Sequence, residues 1–106
     1  MISQDRLSDL LDEAIIDCYG EEEEFAGVFT TLDESLPFPL PGHHAGLPVS
    51  VLGLDGQASS LRRGIVARIR RDGHDYTAAL ADLTFGDLDE SSAEWLAMHR
   101  WWASLG

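Results

Sequence analysis

The sequence contains no lysine and only one cysteine, Cys18. A single cysteine excludes an intrachain disulfide and a cysteine-rich zinc site. All 7 basic residues are arginines, and they face 19 acidic residues, which gives a formal net charge of −12. Because nucleic acids and anionic membranes need clustered positive charge, we expect neither as a partner.

Long apolar runs are absent as well. No stretch approaches the roughly 18 consecutive apolar residues of a membrane-spanning helix, and the N-terminus lacks a basic region followed by an apolar one. We therefore expect a cytoplasmic protein that neither spans a membrane nor is exported. HExxH and CxxC spacings and a recognisable nucleophile system are also missing, so we expect no enzyme. The adjacent His43 and His44, in a loop rich in proline and glycine, are expected to face solvent.

The composition is that of a globular protein, with 44% hydrophobic and 25% charged residues in a chain of 106. This length predicts a single domain over residues 1–106. The acidity is uneven, since residues 1–34 carry a net charge of −10, residues 35–81 carry +2, and residues 82–106 carry −4. The question of what neutralises the charge therefore concerns the first third of the chain.

Apolar residues in this first third recur at steps of three and four, the spacing of one buried helical face. They are Leu7, Leu11, Ala14, Ile15, Cys18, Phe25, Phe29 and Leu32. The pattern predicts an acidic helical segment over residues 1–35. Gly20 interrupts it, and because glycine costs about 1 kcal/mol in a helix relative to alanine, we expect a kink or break there.

The rest of the chain predicts strands and one further helix. Alternating prolines make residues 36–47 an extended connector. Short β-rich runs with an Asp72-Gly73 hairpin signal predict a small antiparallel sheet over residues 48–84. Ser91 and Glu94 have capping-box spacing before a tryptophan-bearing helix over residues 89–105. The fold class is therefore predicted to be α+β.

Four consecutive glutamates, Glu21 to Glu24, form the most concentrated charge. On a continuous helix Asp17, Glu21 and Glu24 share one strip, whereas Glu22 falls towards the apolar face and Glu23 points to water. Carboxylates are ligands that calcium prefers, yet no stretch has the EF-hand pattern. From the residues alone, a hard cation and a solvated acidic face both remain open.

A sparser acidic group follows the predicted sheet. It comprises Asp82, Asp87, Asp89 and Glu90. Aspartate between a strand and a helix is ordinary turn and capping chemistry, which is the favoured interpretation here. A contribution to a metal site begun by the first helix stays open.

The order of motifs resembles a known family. The segment Asp17-x-Tyr19-x-Glu21-Glu22-Glu23 precedes Leu36-Pro37-Phe38-Pro39, short strands, Ala81-Asp82-Leu83 and the final helix. This arrangement is similar to the small calcium-binding protein family typified by a cyanobacterial regulator of heterocyst development. The resemblance implies an α+β fold with an SH3-like barrel and non-EF-hand calcium sites on an acidic surface.

With this resemblance, the leading hypothesis is a Ca²⁺ buffer or sensor. Asp17 and Glu21 would supply ligands, Glu22 or Glu24 would complete the first shell, and Asp33 would be a further ligand. The alternative is an interaction module whose acidic face binds a basic protein surface without metal.

Overall fold

A computed structural model describes residues 2–105 of the chain. Within that range the helices are α1 (Gln4–Ala14), α2 (Glu21–Ser35) and α3 (Glu90–Ser104). The strands are β1 (Leu40–His44), β2 (Leu47–Ser60), β3 (Gly64–Arg71), β4 (His74–Ala79) and β5 (Leu83–Phe85), with a 3₁₀ turn at Leu80–Asp82. The predicted α+β class is confirmed.

Contacts divide the chain into two compact units. The helical unit comprises Met1–Leu36 and Asp89–Gly106, and the sheet unit comprises Pro37–Leu88. The helical unit holds fourteen acidic residues and two arginines, whereas the sheet unit holds five of each. The whole net charge of −12 therefore belongs to the helical unit, and the sheet unit is formally neutral. The prediction of a single domain over residues 1–106 stays a prediction.

The predicted helical segment over residues 1–35 is two helices. Ser3 caps α1, its hydroxyl accepting a hydrogen bond of 3.2 Å from the Arg6 amide. The chain leaves the helix after Ala14 and re-enters it at Glu21, with Gly20 as the N-cap of α2. The break expected at Gly20 is confirmed, although it extends over the whole loop 15–20.

The third helix starts two residues earlier than its capping-box spacing predicts. Asp89, not Ser91, is the N-cap of α3, and its carboxylate accepts hydrogen bonds from both the amide and the hydroxyl of Ser92. These hydrogen bonds lower the pKa of Asp89. Glu94 instead pairs with Arg6 of α1 through two hydrogen bonds of 2.9 and 3.0 Å, which lower the pKa of Glu94. This bidentate pair joins α1 to α3.

The core of the helical unit comes from one side of each helix. Its buried apolar side chains include Leu10, Val28, Leu32, Leu36 and Met98. The rings of Phe25 and Trp102 lie 6.0 Å apart, so α2 packs against α3 just after its first turn. Full burial of a valine, leucine or methionine side chain stabilises a fold by about 1.5–3 kcal/mol.

The sheet has the antiparallel order β4-β3-β2-β1-β5. Asp72 and Gly73 connect β3 to β4 with positive φ angles of 52° and 79°, as a two-residue hairpin turn requires, so this predicted turn is confirmed. Ala45 and Gly46 form a second turn of the same kind, with φ angles of 53° and 80°.

The predicted connector over residues 36–47 differs from the structure, because β1 lies inside it and β2 begins at Leu47. The positions of the prolines explain why they do not prevent strand pairing. Pro41 precedes Gly42, the first residue of β1 that pairs with β5, and Pro48 precedes Ser50, the first residue of β2 that pairs with β3. Each proline therefore has a partner strand on one side only.

Closure of the sheet into an SH3-like barrel is not confirmed, since β4 and β5 are open edges in the hydrogen-bonding order. The sheet is nevertheless strongly curled. A flat sheet would place β1 and β4 about 14 Å apart, three strand spacings. Yet the imidazole Nδ1 of His44 on β1 lies 3.1 Å from the hydroxyl of Tyr76 on β4. His44 is half-buried by this contact, so the expectation that it faces solvent is wrong, whereas His43 is exposed.

Candidate metal centre

The loop between α1 and α2 carries the first predicted ligand, Asp17. Its backbone turns sharply, since Ile15 accepts a hydrogen bond of 2.9 Å from the Cys18 amide and Asp17 has a positive φ of 61°. Aspartate tolerates this left-handed conformation better than most residues. Asp17 is exposed and lies outside both helices.

Gly20 closes this loop in a conformation that other residues avoid. Its φ of 89° and ψ of 165° lie in a region that is essentially restricted to glycine. Its carbonyl accepts a hydrogen bond of 3.0 Å from the Glu24 amide, the first bond of α2. Gly20 thus sets the direction in which the helix leaves the loop.

The loop is held against α2 at Gly27. A Cβ atom at this position would lie 2.7 Å from the Ala14 carbonyl oxygen and 2.9 Å from the Cys18 sulfur, too close for carbon. Only a hydrogen atom fits between α2 and the end of α1. Cys18 is half-buried here, in agreement with a packing role.

The four glutamates form the first turn of α2. The unpaired amides of a helix N-terminus carry partial positive charge, which favours carboxylates there and offsets part of their mutual repulsion. Their burial differs from the prediction, since Glu21, Glu22 and Glu23 are exposed and Glu24 is half-buried. The expectation that Glu22 turns towards the apolar face is wrong, because the loop resets the helical phase between α1 and α2.

Two of these glutamates, Glu21 and Glu24, are neighbours on one side of α2. Glu21 and Glu24 are three residues apart on one helix, so their Cβ atoms lie about 5–6 Å from each other. Glu22 does not share this side of the helix. The prediction that Asp17 shares this side with Glu21 and Glu24 requires one continuous helix. In the structure Asp17 lies in the loop between α1 and α2.

Asp33 lies on the same helix but far from the glutamates. Asp33 is nine positions after Glu24, which corresponds to about 13.5 Å along the helix axis. Calcium ligands lie about 2.3–2.6 Å from the ion, so one ion cannot take both side chains. Asp33 could serve only a separate ion.

The predicted carboxylate ligands have the oxygen atoms that a hard cation prefers, but their side chains do not converge on one point. None of Asp17, Glu21, Glu22, Glu24 or Asp33 has a side-chain hydrogen bond or ion pair with another residue of the described range 2–105. Over the same residues, no three His, Cys, Asp or Glu side chains converge as a metal-binding group. A calcium ion would therefore have to draw the side chains together and keep several water ligands.

The second acidic group is explained mostly by local structure. Asp89 is committed to capping α3, and Glu90 occupies the first turn of that helix. Asp82 ends the 3₁₀ turn, and Asp87 is exposed in the loop after β5. The favoured interpretation as turn and capping chemistry is confirmed for Asp89.

Sequence patterns did not indicate two features of the helical unit. His99 on α3 is 3% exposed, and burial, with a smaller effect from Arg100, lowers its pKa to about 4. In the loop, the apolar residues Ile16 and Tyr19 are 73% and 78% exposed, and Tyr19 belongs to the acidic motif. The phase of a broken helix cannot be derived from periodicity, so neither exposure was predictable.

No helix within residues 2–105 has both the length and the apolar character needed to cross a bilayer. No protein-family model matches the sequence, and neither does any curated protein.

The fold of the chain is shared with two solved structures. It is similar to a structure described as a calcium-binding protein in the calcium-binding form, with a TM-score of 0.79 and 23% identity, covering 99% of this chain and 97% of that one. It is also similar to CcbP of Anabaena, with a TM-score of 0.82 and 24% identity, covering 98% of this chain and 93% of that one. The predicted resemblance is thereby confirmed for the fold.

Proposed function

We propose that this protein binds Ca²⁺ at a non-EF-hand acidic surface site and acts as a calcium buffer or sensor rather than as an enzyme. One observation carries the proposal. The first turn of α2 presents Glu21 and Glu24 as neighbouring carboxylates that form no ion pair with a basic side chain among residues 2–105, next to a loop that holds Asp17. The calcium-binding neighbours share the fold in which this turn is built.

In this proposal Glu21 and Glu24 supply carboxylate oxygens from one side of α2, and Asp17 joins them from the loop. The positive end of the α2 dipole opposes a cation, but it amounts to about half an elementary charge against four carboxylates. Calcium tolerates irregular geometry and retained water, whereas magnesium demands a near-ideal octahedron. The open carboxylate cluster therefore favours calcium over magnesium.

Isothermal titration with calcium and then with magnesium tests the proposal. We expect heat with calcium and a thermal midpoint that rises with its concentration, since a ligand at 100 times its Kd stabilises the native state by about 2.7 kcal/mol. Glu21→Gln and Glu24→Gln should each weaken binding. Glu34→Gln, at the opposite end of the same helix, is the matched control and should bind like wild type.

The proposal fails if millimolar calcium gives neither heat nor a shift in the melting temperature. Asp33→Asn tests Asp33 separately as a further ligand. A lower stoichiometry with unchanged affinity of the remaining site would assign Asp33 to a second ion. The alternative function, an acidic interaction module without metal, would be favoured by salt-sensitive association with a basic protein that a chelator leaves unchanged.

A further inference from the structure

Two large apolar side chains project from the acidic loop. Ile16 and Tyr19 are 73% and 78% exposed, more than Leu47, Leu61 or Leu105, the other exposed large hydrophobic residues in the described part of the chain. They are three residues apart, so their Cα atoms lie within roughly 11 Å. A single helical or extended peptide segment can cover both.

Their exposure is a consequence of how the loop is held. Two other loop residues, Ile15 and Cys18, are half-buried and lie against α2 at Gly27. With these two turned inward and the Cys18 amide bonded to Ile15, the loop presents Ile16 and Tyr19 outward. Presentation on a fixed loop reduces the ordering cost of binding, and tyrosine is enriched among residues that dominate interface energies.

The surroundings of this pair specify the charge of what covers it. Asp17 lies between the two residues in sequence, and Glu21 to Glu23 follow directly as exposed carboxylates. The helical unit carries the full −12 of the chain, so a second copy would be repelled. A basic surface would be attracted and oriented by the same charge.

We infer that Ile16 and Tyr19 are the apolar anchors of a docking surface for a basic protein segment that carries its own apolar side chains. The inference rests on the proposed function in one respect, namely that the carboxylates beside the anchors are those that bind calcium. Calcium and the basic segment then neutralise the same charges. Each must weaken the binding of the other by the same factor, because the coupling of two ligands is reciprocal.

The probe is a fluorescently labelled short amphipathic peptide of leucine and lysine, with oligolysine of equal charge as the purely electrostatic comparison. Binding to the full chain is followed by fluorescence anisotropy at physiological salt. We expect the double variant Ile16→Ser with Tyr19→Ser to bind the leucine-lysine peptide at least about tenfold more weakly. Oligolysine should bind both proteins equally. Leu105→Ser, which removes another exposed leucine of the helical unit, should leave peptide binding unchanged.

Calcium should raise the Kd of the peptide more than sodium chloride does at equal ionic strength. The inference is overturned if the double variant binds the peptide like wild type, if Leu105→Ser loses as much affinity, or if sedimentation shows that Ile16 and Tyr19 instead mediate self-association. Circular dichroism checks that each variant is folded. Tyr19→Gln alone replaces only one of the two anchors and perturbs the loop less than the double variant does.

Calcium titration of the wild-type protein, with and without bound peptide, separates the two proposals. Normal calcium binding with peptide affinity that calcium does not change would overturn the inferred competition and leave the proposed function standing. Absence of calcium binding, together with peptide affinity that depends on Ile16 and Tyr19, would overturn the proposed function and support the docking surface.

Discussion

Gly27 lies so close to Ala14 that a Cβ atom on it would be 2.7 Å from the Ala14 carbonyl oxygen. Helix propensity alone would favour alanine at this position by about 1 kcal/mol. The contact acts in the opposite direction, because overpacking against a backbone atom typically costs about 1–3 kcal/mol. The contact therefore explains a glycine in the middle of α2.

We expect Gly27→Ala to lower the free energy of unfolding despite its better helix propensity, measured by urea denaturation. It should also weaken calcium binding, since the displaced loop carries Asp17. Thr30→Ala, at an exposed position of the same helix, is the control and should be neutral or slightly stabilising. Equal or greater stability of Gly27→Ala would show that α2 does not approach α1 as described.

Gly20→Ala should destabilise the protein by about 1–3 kcal/mol, because its backbone conformation is almost inaccessible to residues with a side chain. There is open space around the position, so the cost is conformational rather than steric. Chemical denaturation measures it. Gly53→Ala, which also meets open space but lacks a positive φ, should cost clearly less.

His99 should make stability depend on pH. Its pKa of about 4 in the folded state lies below its ordinary value of 6.5, because burial disfavours the charged ring. The folded state therefore binds fewer protons at this site than the unfolded state. The contribution is complete above about pH 6.5 and is lost as the pH falls towards 4, on the order of 3 kcal/mol in total.

The loss is measured as the difference in unfolding free energy between pH 7 and pH 4.5. His99→Gln should lose less over this interval than wild type, since glutamine does not titrate and the carboxylates contribute to both proteins alike. His43→Gln, which changes an exposed histidine, should retain the wild-type dependence. Identical pH profiles for wild type and His99→Gln would contradict the prediction.

Tyr76→Phe should lower stability by about 1 kcal/mol, because it removes the hydrogen bond that joins β4 to His44 on β1. Tyr19→Phe provides a matched comparison, the same chemical change at a residue that is 78% exposed, and should leave stability unchanged. Thermal unfolding of the two variants side by side tests the contrast. A similar loss in both would mean that the contact across the sheet contributes nothing.

Local signals predicted much of the fold. Capping and periodicity indicated the helices, and Asp72-Gly73 indicated its hairpin, because each depends on nearby residues. Ala45-Gly46 is a two-residue turn of the same kind, but its alanine is a weak signal and the surrounding prolines favoured a connector. Pairing of β1 depends on which strands lie beside it, which is a nonlocal property.

The candidate site was harder to predict for a related reason. Assigning Glu22 to the apolar side required the helical phase to continue from Asp17 to Glu24, and Gly20 ends that continuity. Composition located the acidic residues, but the loop conformation decided which of them are exposed. The proposed ligand set stays a prediction, with Glu21 and Glu24 as its neighbouring pair.

The unequal charge of the two units has a consequence for how the chain responds to its solvent. Electrostatic self-repulsion grows with the square of the net charge. It therefore destabilises the helical unit, with its charge of −12, and has little effect on the neutral sheet unit. Added salt should therefore slow amide hydrogen exchange in the three helices and leave exchange in the five strands nearly unchanged. We therefore expect ionic strength to change the relative rigidity of two halves of one small protein.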